Sequence, residues 1–215
     1  MTQRARVRPT PATTALMGAI LFGFGIEIIT GAWRNPEILA AIGAIVPGRG
    51  YWRLVTAMFL HGDGTIQGDL LHLGMNLFAL FQLGRLYELM FGTRRFVFIY
   101  FVSGLIASIA SYYHLPPNGS SVGASGAIFG ILGAFVFSVQ RSPRWRHEKW
   151  ARSLVAQCIF WIAANIVIGL KIPQIDNAAH IGGLIAGLIL GAVLPHRVPP
   201  PPPGATVVDV QPYDE

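Results

Sequence analysis

Residues 122–140 read VGASGAIFGILGAFVFSVQ, nineteen positions without a charged side chain. At about 1.5 Å per residue such a run crosses most of a hydrocarbon core roughly 30 Å thick. Its glycines, Gly123, Gly126, Gly130 and Gly133, recur at intervals of three and four. In a helix that spacing lines one face with small residues, on which a second helix can lie close. The stretch therefore predicts a membrane helix packed against other helices rather than a helix of a water-soluble core.

Working outward, five more apolar runs of similar length lie at 12–33, 70–91, 96–115, 153–170 and 177–194. Together the six predict an all-α, polytopic bundle over 12–194, each run long enough to span. The first is the least comfortable, because Glu27 lies inside it and an ionisable group there is costly unless it faces the bundle or pairs. Composition agrees: 53 % of the 215 residues are hydrophobic and only 12 % charged, about half the charge of a soluble domain, and mean hydropathy is +0.51. An ordinary cytosolic enzyme and a disordered tail protein are both excluded.

The net charge of +6 does not point to nucleic acid, because the basic residues sit at the ends of apolar runs rather than on one continuous patch. They orient the bundle instead. With the N-terminus inside, Arg4, Arg6 and Arg8, Arg85, Arg94 and Arg95, Arg141, Arg144, Arg146, Lys149 and Arg152, and Arg197 are cytoplasmic, and Arg34, Arg49, Arg53 and Lys171 are outside. That is 12 against 4 of the 16 basic residues, and an N-in, C-in topology follows. Residues 1–11 then form a basic cytoplasmic N-terminus, read as retained because the apolar run after it is long and lacks a clear small-residue cleavage site. Residues 195–215 form a Pro-rich cytoplasmic tail, with 199–203 as polyproline II and the remainder an unfolded extension. The one long connection, 35–69, is outside; its Tyr51, Trp52 and Phe59 suggest a packed loop in the interface rather than a loose one. Cys158, the single cysteine, lies in an apolar run and reads as a small hydrophobe.

The chemistry is sought among polar residues inside the runs, since those are the expensive ones. Three groups qualify: His72 with Asn76, Ser125, and His180. Each falls near the outer start of an even-numbered run, at a common depth of roughly 5–10 Å, which suggests one site. Taken singly, Ser125 reads as a packing serine, and His180 as a helix tie ahead of Gly183, Gly187 and Gly191. Taken together they are a nucleophile and a base on two helices built for close approach. His72 and Asn76, four apart, share a helix face and can offer N–H groups to an oxyanion, beside the Ser125 amide at a helix start. Alternatively they tie helices together. Asp176, four before His180, reads as a helix cap rather than a third catalytic member. Glu88 reads as a tie between helix ends on the cytoplasmic side, and His61 as a shaper of the outer loop. His114, His147 and His196 read as solvated. His72 and His180 could both touch a metal, but no carboxylate joins them at that depth, so neither metal nor cofactor is expected.

Trp52-Arg53, His72-x-x-x-Asn76, Glu88-x-x-x-Gly92, Gly123-Ala124-Ser125-Gly126 and Ala179-His180 followed by glycines resemble, in order, spacing and placement, the rhomboid intramembrane serine proteases. The resemblance covers roughly residues 51–194. It implies a six-helix core and a Ser–His dyad, with Ser125 as nucleophile and His180 as general base and later acid. His72, Asn76 and the Ser125 amide would line the oxyanion hole. It also implies a partly embedded outer hairpin anchored by Trp52 and Arg53, an aromatic at Phe129 packed on the base, and single-pass membrane proteins as substrates, cut in or near their transmembrane segments. A plasma membrane is the expected location. The loop from His61 to His72, with Gly62-Asp63-Gly64 and Gly68-Asp69, looks longer than the compact form of the family. Two other classes stay open: a catalytically silent rhomboid-like protein that captures membrane helices, which would usually lack Ser125 or His180, and a small transporter, which would place polar residues along a path through the bilayer.

Overall fold

The computed structural model describes residues 9–62 and 64–195. The expected basic N-terminus up to residue 8, Asp63, and the Pro-rich tail from His196 onward lie outside the described residues. Within them helix is the dominant structure, and the one β feature is an isolated antiparallel bridge between Ile45 and Ser121.

Helix α1 is Pro11–Thr30, its proline placed where a missing N–H costs nothing. The run expected to reach residue 33 stops at Gly31, and a single 3-10 turn, Ala32–Arg34, follows. The long connection after it is folded into short helical elements. Helix α2 is Pro36–Ile42, capped by Asn35, whose side chain accepts from the N–H groups of Glu37 and Ile38. A short α3, Arg53–Thr56, leads into a 3-10 turn, Ala57–Phe59. The second apolar run is helical from Ile66, four residues earlier than its hydropathy indicates, because Thr65 caps it there. It proceeds as α4, Ile66–Ala79, a π-helical turn, Leu80–Gly84, and α5, Arg85–Phe91. Helices α6, Thr93–His114, α7, Ser125–Arg141, α8, Lys149–Gly169, and α9, Asn177–Val193, complete the bundle.

Among the described residues α1, α6 and α8 are long and apolar enough to cross a membrane, and α7 and α9 are shorter apolar helices. The outside of the bundle is apolar, with Phe22 at 72 % and Leu170 at 73 % exposure. Its interior holds Glu27, Arg53, His61, Asp69, Glu88 and His180. An apolar exterior of this extent is what a lipid environment permits and water does not.

Helix α7 is the central post, with twelve of its 17 residues buried. It meets α9 through glycine. A Cβ on Gly183 or Gly187 would run into the backbone carbonyl of Gly126 or Gly130, and one on Gly191 would meet the Ala134 carbonyl. The two backbones are therefore in direct contact, as the small-residue spacing of both runs suggested. Across its other face, Gly126 and Gly130 sit against Ala107 and Ser103 of α6. Large side chains fill the half of the bundle away from Ser125: Tyr87, Phe96, Tyr100 and Phe135 are fully buried.

The start of α1 is fastened by Glu88. Its carboxylate accepts from the N–H of Ala12 at 3.1 Å and of Thr13 at 2.9 Å, and from the hydroxyls of Thr13 at 2.7 Å and Thr93 at 2.8 Å. Gly92, with φ of 91°, reverses the chain between α5 and α6 where a side chain would be strained. The Glu88-x-x-x-Gly92 pattern is thus a corner joining three helices.

Candidate active site

The segment between α1 and α4 holds the strand-like approach to α7. Ile45 and Ser121 exchange both backbone hydrogen bonds, at 2.9 and 3.1 Å, and the Gly123 N–H donates to the Ala57 carbonyl at 2.8 Å. Gly123 turns the chain with φ of +127°, a conformation that favours glycine. Ser125 is then the first residue of α7. Its apolar run was expected to be helical from residue 122; the backbone pairing of 121 and 123 with Ile45 and Ala57 overrides that tendency. The shift places Ser125 at the positive end of the α7 dipole.

His180 lies in the first turn of α9. Asp176 caps that helix through Oδ1, which accepts from the Ala179 N–H at 3.0 Å, while Oδ2 accepts from the Ser111 hydroxyl. Asp176 therefore serves as a cap, and it does not hydrogen-bond His180 through its side chain. His180 Nε2 is 2.9 Å from Ser125 Oγ. The imidazole is only 7 % exposed and stacks on Phe129, centroids 4.2 Å apart and rings 7° from parallel. Its Nδ1 is buried with no hydrogen-bond partner among the described residues. The ring is thus oriented by stacking and helix position rather than by a carboxylate.

His72 and Asn76 lie on α4 facing the same region. The space a Gly123 side chain would occupy is already shared: an added Cβ would come within 2.8 Å of His72 Nε2 and 3.8 Å of Ser125 Oγ. Gly123 is needed twice over, for its φ and for its lack of bulk. Asn76 is buried, and its Nδ2 donates to the His72 carbonyl at 2.8 Å. One of its two amide N–H groups is thereby committed to the helix, leaving the other for a ligand. Among the described residues no three His, Cys, Asp or Glu side chains are grouped to hold a metal ion.

Comparison with known proteins identifies the lineage. The sequence pattern of the Rhomboid domain matches residues 48–197. The chain belongs to the rhomboid family. It is 37 % identical to the rhomboid protease GluP of Bacillus subtilis over 87 % of this chain and 35 % of that protein. It is 40 % identical to RHOMBOID-like protein 6, mitochondrial, of Arabidopsis thaliana over 70 % of this chain and 46 % of that protein. It is 32 % identical to rhomboid-type serine protease 2 of Emericella nidulans over 66 % of this chain and 26 % of that protein. This chain spans between about a quarter and a half of the length of these curated relatives. As a rhomboid with an apolar helical bundle, it is an integral membrane protein.

The residues around the site of this rhomboid explain the polar groups left over. Arg53 Nη1 donates to the carbonyls of Ala40 and, at 3.1 Å, Ala44, and its guanidinium lies 4.5 Å over the Trp52 ring. It caps the end of α2 and ties it to α3, so Trp52-Arg53 organises the connection between α1 and α4. Glu27, fully buried, accepts through Oε1 from the N–H of His61 at 2.6 Å and of Gly62 at 3.2 Å. The cost anticipated for a carboxylate in the first run is met in part by these two donors, both on Oε1. His61 in turn sets its ring 4.9 Å from that of His72. Burial, with His72 beside it, pushes the His61 imidazole down to about 3, so it packs on His72 as a neutral ring. Asp69, also fully buried in the first turn of α4, was hidden in the sequence within a Gly- and Asp-containing loop. Its burial next to the polar cluster is the signal that hydropathy alone does not carry.

Proposed function

We propose that this rhomboid is an intramembrane serine endopeptidase that cuts peptide bonds in or near the transmembrane segments of single-pass membrane proteins. The observation that carries the proposal is the 2.9 Å approach of His180 Nε2 to Ser125 Oγ at the start of a helix. For His180 to act as base, Nδ1 holds the ring proton and Nε2 accepts the hydrogen of the Ser125 hydroxyl. Oγ then attacks the scissile carbonyl, and His180 becomes the cation. Negative charge develops on the carbonyl oxygen. The α7 N-terminus and the His72 ring, which shares the space beside Gly123 with Ser125 Oγ, are placed to stabilise it, and the uncommitted Asn76 N–H on the same helix as His72 is the further donor we assign to it. His180 next returns its proton to the leaving amine, and a water, deprotonated by the same imidazole, releases the acyl group.

The topology we propose is six spans, N-in and C-in, which sets the site toward the outer face, with the plasma membrane as location. The helical stretches 11–30, 66–91, 93–114, 125–141, 149–169 and 177–193 support six crossings, and the distribution of basic residues supports the orientation. A helical substrate amide is shielded by its own hydrogen bonds, so substrates with helix-breaking or small residues near the cut should be favoured.

The test needs no prior substrate. The detergent-solubilised protein is reacted with a fluorophosphonate probe, and the adduct is located by mass spectrometry beside Ser125→Ala and His180→Ala. Labelling at Ser125 that is lost in both variants supports the protease. Absence of labelling in folded protein overturns it in favour of a silent helix-binding rhomboid.

A further inference from the structure

About 20 Å along α7 from Ser125, at the end rich in arginine, a groove of about 240 Å³ opens between α7 and α8. Val139 contributes from α7, and Val155 and Ile159 from α8. Its rim holds two guanidinium groups, Arg146 from the connecting loop and Arg152 from the first turn of α8. Arg152, Val155 and Ile159 are spaced three and four apart, so one face of α8 carries a cation at its end and hydrocarbon below it.

Neither guanidinium has a carboxylate partner among the described residues. Arg146 Nε donates to the ring of the exposed His147 at 2.8 Å. Between Arg141 and Arg152 the chain has five basic residues and a single acid, Glu148. Helix α8 is also the least enclosed of the long helices, with only Ala151, Val155 and Cys158 buried.

We propose that this groove is a binding site for one anionic phospholipid, its phosphate held between Arg146 and Arg152 and an acyl chain laid along Val155 and Ile159. Guanidinium suits phosphate through paired, directed N–H donors, and basic pockets between membrane helices at the cytoplasmic side are a recurrent way to hold acidic headgroups. A zwitterionic lipid would bring its own ammonium to a rim that already carries two positive charges. Orientation by basic loops explains arginines at this end of the molecule. It does not explain why two of them border an apolar groove on the loosest helix.

Native mass spectrometry of the full chain in detergent, with phosphatidylglycerol and phosphatidylcholine of matched acyl chains, decides the matter. The wild type should retain phosphatidylglycerol in preference, with about one tightly held molecule. The Arg146→Ala/Arg152→Ala double variant should lower that retention by about tenfold, and Arg141→Ala/Arg144→Ala should leave it unchanged. Ile159→Trp, at a half-exposed position, keeps the charge but fills the groove and should also lose the lipid. Equal loss in the two arginine doubles would reduce the effect to general charge and overturn the site. So would retention in Ile159→Trp, or displacement of the lipid by millimolar inorganic phosphate, which would show a site for the free anion. Serine labelling at Ser125 does not enter this test, so it stands or falls apart from the proposed protease activity.

Discussion

Helix α1 has a buried glutamate serving each end, and the two are used differently. At its start, the inner end in the proposed topology, Glu88 employs both oxygens and takes four donors from the starts of two helices, α1 and α6. At the outer end Glu27 uses one oxygen for two backbone N–H groups of the loop, and its Oε2 has no partner among the described residues. A fully satisfied buried carboxylate fixes a structure, whereas a half-satisfied one is tolerated where something other than stability is being served. The inner end therefore reads as a clasp, and the outer end as a support for the residues around Ser125.

That contrast can be broken most directly at the outer end. Ser125→Ala and His180→Ala are each expected to lower turnover of a transmembrane substrate by at least about 10⁴-fold, with little change in thermal unfolding. Turnover that survived Ser125→Ala would mean the outer end is not where the chemistry is. His72→Ala should lower kcat by about 10²–10³-fold if its ring donates to the oxyanion. Asn76→Ala should cost less, because one of its two N–H groups is already bound to the His72 carbonyl. An unchanged kcat in both would assign them to helix packing.

The inner end should respond in the opposite sense. Glu88→Ala is expected to destabilise the folded protein by about 3 kcal/mol, since it strands several buried donors, while kcat per folded molecule stays at the wild-type value. Thermal unfolding in detergent paired with active-site titration separates the two quantities. The smallest effect is expected at Glu27. Glu27→Ala frees residues 61 and 62, and with them the ring packed on His72, and should lower kcat by about tenfold to 10²-fold. Glu27→Gln keeps an acceptor for both N–H groups and should recover most of that loss. If Glu27→Gln were as damaging as Glu27→Ala, the negative charge itself would matter and the comparison with Glu88 would need revising.

Much of this was legible in the sequence, because membrane helices announce themselves through long apolar runs and because a polar residue inside one needs a reason. Ser125, His180, His72 and Asn76 stood out on that ground, and the structure brings Ser125, His180 and His72 to one place. The glycine intervals in 122–140 and 177–194 pointed to the close contact of α7 and α9, although no spacing could state that Nε2 and Oγ would meet. What stayed hidden depends on backbone partners. Residue 122 looked helical until Ile45 and Ala57 claimed the neighbouring peptide groups. Glu27 was flagged as expensive, but its donors are N–H groups 34 and 35 residues away, and a backbone N–H leaves no mark in composition. The π-helical turn at Leu80–Gly84 lies within the second apolar run and has no residue signature there.

The glycine-to-carbonyl contacts between α7 and α9 have a mechanical consequence. A helix seated on side chains can slide or roll as rotamers change, but here Gly183 and Gly187 rest on the peptide groups of Gly126 and Gly130. One residue of slip would displace the register by about 1.5 Å and turn the face by about 100°, driving Cβ atoms into backbone. Ser125 and His180 are thus parts of a single rigid body whose spacing is machined into the main chain, and any motion that admits a substrate has to be made by the elements around it.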